Sequence, residues 1–112
     1  MRNFRKLETW RLGMSIRRRV YDVTRMFPTD ERFGLTQQMR RSAVSIPSNI
    51  AEGAARGSDP DFRRFLFIAK GSAAELETQL LVAAGLGYCV AGSESVALLI
   101  DDIGLFGNER GR

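Results

Sequence analysis

FGLTQQMRRSAVSIPSNIAEGAARG, residues 33–57, is the stretch on which the fold turns. Leu35, Met39, Ala43, Ile46 and Ile50 recur in steps of three and four, which lays them along one face of a helix. Pro47 falls inside that pattern. It removes one backbone donor and crowds the carbonyl four residues earlier, so a kink is expected between Ala43 and Pro47. The apolar face stays in phase beyond the proline, which predicts one bent helix over about residues 34–56 rather than two. Gly53 and Gly57 read as its closing signals.

The segments on either side follow the same helical period. Residues 7–26 carry Gly13, Ile16, Val20 and Val23 on one stripe, which Phe27 continues, and Arg11, Ser15, Arg18, Asp22 and Arg25 on the other. Phe27-Pro28 ends this segment, because a residue before proline is pushed out of the helical region. Ser58-Asp59-Pro60-Asp61 opens a third helix, with a capping side chain, proline at the first position and acid in the first turn. It runs over about residues 60–86 and stops at Gly87. A short fourth helix is expected at 94–106, followed by a frayed tail at 107–112. No strand-like alternation competes with these. With short connections, a chain of 112 residues forms one domain over 1–112, an all-α, antiparallel, up-down-up-down four-helix bundle.

The third helix has more apolar surface than one core needs. Phe62, Phe65, Leu66, Ala69, Ala73, Leu76, Leu80 and Ala83 form the expected core stripe. Phe67, Gly71, Ala74, Thr78, Val82 and Gly85 form a second, roughly opposite. Soluble monomers avoid an exposed patch of that kind, so a contact with further copies is expected there, with the small residues allowing close backbone approach. The first helix is also apolar over about half its circumference. Arg17 lies within that arc between Trp10 and Tyr21, where a buried cation calls for an acid from another helix or subunit. Heterologous contacts of this kind close by rotation into a ring.

Charge is uneven. The net charge is +4, but residues 1–64 hold 14 Lys/Arg against 7 Asp/Glu while residues 65–112 hold 3 against 6. Arginine pairs or runs occur on three helices: Arg17-Arg18-Arg19, Arg40-Arg41 and Arg63-Arg64. The planar fork of arginine suits phosphate, and Arg18, Arg19, Arg40, Arg41, Arg63 and Arg64 are the candidate contacts to RNA or DNA. A blander account pairs the arginines with acids such as Asp22, Glu31 and Glu52. Within an adjacent pair, one arginine can be tied up while its neighbour points outward.

Catalytic patterns are missing from the sequence. There is no histidine, hence no His-based acid-base, metal or nucleophile arrangement. One cysteine, Cys89, gives neither a disulfide nor a zinc site and favours a reducing compartment. No phosphate-binding glycine loop occurs. Glu75 and Glu77 point about 200° apart on a helix and cannot share a site. No enzyme, cofactor or metal is therefore expected. The charged start MRNFRKLETW is unlike a signal peptide, and the apolar run at 80–91 is too short for a bilayer, so the expected location is cytoplasmic, away from membranes.

LETW at 7–10, RFGLTQQMRRSAVSIPSNIAEGAAR at 32–56 and FLFIAKGSAAELETQL at 65–80 closely resemble the bacterial four-helix bundle family also called the 23S ribosomal RNA intervening-sequence proteins. Some of its members are encoded inside such insertions. There is a more distant likeness to the accessory variability proteins of diversity-generating retroelements. The resemblance spans roughly residues 4–88. It implies a homopentameric ring of four-helix bundles without known enzymatic activity and, by way of the retroelement relatives, a basic surface for nucleic acid and a protein partner. Arg41, Ser45, Pro47, Asn49, Glu52, Gly53, Gly71, Ser72, Glu75 and Glu77 fit the family pattern and are expected to serve packing and subunit contact. The subunit-contact set is thus Trp10, Arg17, Tyr21, Asn49, Glu52, Phe67, Gly71, Ala74, Thr78 and Val82. The chain departs from the pattern after Cys89, where relatives carry a longer amphipathic helix. A protein-protein adaptor with no nucleic-acid role is the alternative function.

Overall fold

Ser58 starts the longest helix as the sequence requires: its hydroxyl accepts the backbone N–H of Asp61 at 3.3 Å, and Pro60 occupies the first turn. The computed structural model describes residues 2–89, and all regular structure among them is helical. The helices are α1 (Glu8–Thr24), α2 (Leu35–Ala55) and α3 (Asp59–Gly85), with single 3-10 turns at Phe4–Lys6 and Thr29–Glu31. The fourth helix expected at 94–106 and the tail at 107–112 lie outside the described residues.

Neighbouring helices run antiparallel. Gly13 of α1 abuts Ile46 and Pro47 of α2, while Thr24, farther along α1, meets Arg40, earlier in α2. Gly53 of α2 lies against Phe62 and Phe65 of α3, and Ser42 reaches Glu75. Helix α2 is the middle member. No Cα of α1 comes within 8 Å of one in α3 among the described residues.

Helix α2 continues through Pro47 as one helix from Leu35 to Ala55, as the in-phase apolar face predicts. The proline is buried, and its ring is the surface against which α1 packs: a Cβ on Gly13 would stand 3.2 Å from Pro47 Cδ and from its backbone nitrogen. Around it, Ser45 Oγ donates to the Ser42 carbonyl at 2.7 Å and Asn49 Nδ2 to the Ser45 carbonyl at 2.7 Å, adding bonds to the turns that flank the missing donor. One sequence expectation needs correction: Gly53 is not a terminator of α2. It is buried within α2, where a Cβ would stand 2.6 Å from the Cβ of Phe65. Gly57 takes the terminating role, with φ +86 just beyond the helix.

The core joins the inward stripes of all three helices. Ile16, Val20, Met39, Ile46, Ile50 and Leu76 are fully buried, each contributing about 1.5–3 kcal/mol of transfer free energy. The eight residues of the expected α3 core stripe are all buried. At one end, Arg2 donates its backbone N–H to the Ala54 carbonyl, pairs with Asp59 and lies 4.3 Å from the Phe62 ring centre. At the other end, Tyr88 donates its hydroxyl to Glu31 at 2.9 Å and packs on Phe27.

Candidate functional site

The arginine clusters fall as successive positions on a helix must, one member turned inward and the next outward. Arg17, Arg40 and Arg63 are half-buried; Arg18, Arg19, Arg41 and Arg64 are exposed. Arg40 is anchored on α1. Its Nε donates to Thr24 Oγ1 at 2.9 Å and its guanidinium lies 4.5 Å from the Tyr21 ring centre. Thr24 is buried and satisfied in both directions, since its hydroxyl also donates to the Val20 carbonyl at 2.7 Å. Arg17 finds an aromatic face rather than an acid within the described chain: its guanidinium is 5.8 Å from the Tyr21 ring centre.

The three acids suggested as partners for these clusters are engaged elsewhere. Asp22 pairs with Arg25 at 3.4 Å and Glu52 with Arg56 at 2.9 Å. Glu31 accepts from Tyr88 and from the backbone N–H of Leu35. Among the described residues, ion pairs occupy Arg2, Arg25 and Arg56, and none of the six candidate phosphate contacts.

Two of the clusters border concave surface. A groove of about 510 Å³ at the start of α2 is lined by Tyr21, Arg32, Phe33, Thr36, Gln37, Arg40, Arg41, Val44 and Ser45, with no carboxylate. Phe33 is 79% exposed at its mouth, with the Arg32 guanidinium 5.1 Å from the ring centre. A shallower one of about 520 Å³ runs along α3 between Pro60, Arg63, Arg64, Phe67 and Ile68. Arg64 lies 4.7 Å from the Phe65 ring centre. Arg18 and Arg19 line neither groove.

The residues expected at subunit contacts separate into two places. Phe67, Gly71, Ala74, Thr78 and Val82 are all exposed on α3, Phe67 at 55% and Val82 at 48%, and Ile68, Leu81 and Leu86 extend the apolar surface. Among the described residues, nothing lies within 4 Å of a Cβ placed on Gly71. Trp10 and Arg17 line a cleft of about 300 Å³ with Met14, Val44, Pro47, Ser48 and Ala51 between α1 and α2. Tyr21 belongs to the basic groove, Asn49 is half-buried, and Glu52 is exposed and paired with Arg56.

Sequence reading missed Arg32, Phe33 and Gln37 as groove residues. The available signal was an arginine beside an aromatic just ahead of the helix, with Gln37 and Arg41 following at four-residue steps. Cys89 offers no activated nucleophile, because burial pushes its thiol up from the ordinary range.

Residues 5–104 match the 23S rRNA-intervening sequence protein family. The chain belongs to that family. A crystal structure of a protein with unknown function from the S23 ribosomal protein family of Bacteroides thetaiotaomicron superposes with a TM-score of 0.84 at 23% identity, covering 93% of this chain and 98% of that one. At that identity the shared property is the fold. No curated protein matches the chain. Among the described residues, no helix is long and apolar enough to cross a membrane.

Proposed function

We propose that this protein is a non-catalytic, self-assembling four-helix bundle whose arginine-rich surface binds RNA or DNA. The observation that carries the reading is that Arg18, Arg19, Arg41 and Arg64 are exposed and that no carboxylate pairs with them among the described residues. Four unpaired guanidinium groups suit a polyanion, and none is positioned by a fixed network that would read base sequence.

Assembly is supported by the outward face of α3, where several large apolar side chains stand beside open glycine positions. A homopentameric ring would cover that face and repeat each arginine cluster around an axis, turning a weak contact into a multivalent one. The same exposed face favours the second reading, an adaptor that holds another protein.

The test is fluorescence anisotropy with labelled RNA and DNA across a salt series, alongside light scattering on the eluting protein. Affinity is expected to fall steeply with salt and to drop on charge reversal at Arg41 and Arg64. No binding at low salt rejects the nucleic-acid role. A stable monomer in dilute solution rejects the ring.

A further inference from the structure

We infer that the groove at the start of α2 grips an unpaired nucleotide, so that the protein prefers single strands to duplexes; this rests on the nucleic-acid reading above and specifies its substrate. A purely electrostatic surface needs cations and nothing more. This groove combines cations with an aromatic platform. Phe33 is 79% exposed although it is a large apolar side chain, and Arg32 stands 5.1 Å from its ring centre. An exposed ring beside guanidinium groups is the arrangement on which an unpaired base stacks, and a base inside a duplex has no free face to offer.

The phosphate side of the groove is pre-set. Arg40 is held by Thr24 through Nε and by the Tyr21 ring, which fixes the guanidinium plane. Its terminal nitrogens have no hydrogen-bond acceptor among the described residues, and Arg41 is exposed beside it. Fixing the fork beforehand lowers the ordering cost of a bidentate phosphate contact. Gln37 lies one turn before Arg41 and supplies an amide that can both donate and accept at a base edge. No carboxylate lines the groove to repel a phosphate. Its volume of about 510 Å³ is in the range of a small-molecule site, enough for a nucleotide and far too small for a duplex.

The experiment measures anisotropy at fixed low salt with four labelled probes: single-stranded RNA, single-stranded DNA, a duplex of equal length, and a single strand with abasic positions. Wild-type protein is expected to bind base-bearing single strands about tenfold tighter than the duplex or the abasic strand. Phe33→Ala should remove that preference, Phe33→Trp should keep it, and Arg18→Ala should lower affinity for all four probes alike. A difference between the RNA and DNA arms then tells which sugar the groove accepts. Equal affinity of the wild type for base-bearing and abasic strands overturns the inference while leaving the polyanion role standing, and so does a Phe33→Ala variant that keeps the preference. Dissociation of the assembly by Phe33→Ala also overturns it, by placing the ring at a contact between copies. Failure to bind any probe removes the nucleic-acid reading itself.

Discussion

The two stripes of α3 share a helix and differ in composition, the inward one rich in large apolar residues and the outward one in small residues, and they meet different surroundings. The inward stripe, from Phe62 to Ala83, is closed over by α2 and the rest of the core. The outward stripe, from Phe67 to Val82, faces solvent in the single chain. The inward stripe carries most of the large apolar side chains, and it is the one that α2 covers. A helical hydrophobic pattern therefore does not by itself say which face the chain buries; the packing of α2 on α3 decides that.

Substitutions that treat the two stripes alike test this contrast most strongly. Leu76→Ala empties a fully buried site and is expected to cost about 2–5 kcal/mol in urea unfolding. Phe67→Ala and Val82→Ala should leave chain stability within about 0.5 kcal/mol, because both side chains are half-exposed, while lowering the assembled mass seen by light scattering. A large loss of chain stability without a change in mass would place those side chains inside the chain's own fold.

The glycines sharpen the same contrast at lower cost. Gly53→Ala forces a Cβ against Phe65 and should destabilise the chain by about 1–3 kcal/mol in the same measurement. Gly71→Ala meets open space among the described residues, so dissociated chains should gain up to about 1 kcal/mol from helix propensity while assembly weakens. Assembly indifferent to Gly71→Ala would remove that position from the contact.

The smallest expected effect lies at the end of the inward stripe. The Arg2 hydrogen bond and charge hold the Asp59 carboxyl below its ordinary value of 3.8. A depressed folded value means stability that is present above the unfolded value and lost as pH falls through the folded one. Arg2→Ala should therefore lower the urea midpoint slightly at neutral pH and make no difference once Asp59 is protonated in both states. A gap between the two proteins that persists into strong acid would assign the effect to Arg2 stacking on Phe62 instead.

Much of the fold is legible because it is periodic. The inward stripes of α1, α2 and α3, the Ser58 cap and the close at Gly57 all follow from local rules applied to successive residues. Close approach between helices is not local, and there the reading failed. Gly53 looked like a terminator because a glycine near a helix end carries the same letter whether it caps or admits a neighbouring Phe65. Pro47 pointed to a kink, but nothing in the sequence says that Gly13 sits across from its ring. The basic site was half legible. Paired arginines announce themselves, whereas the tethering of Arg40 by Thr24 and Tyr21, and the company of Arg32 and Phe33, depend on how α1 and α2 meet.

That no Cα of α1 comes within 8 Å of one in α3 among the described residues has a kinetic consequence. Each packed pair of helices joins immediate neighbours along the sequence, with Arg56, Gly57 and Ser58 alone linking α2 to α3. Closing such short loops costs little entropy, so each hairpin is expected to zip without waiting for distant segments, and stopped-flow refolding of this region should finish within milliseconds. Slower, concentration-dependent phases would then report copies meeting copies.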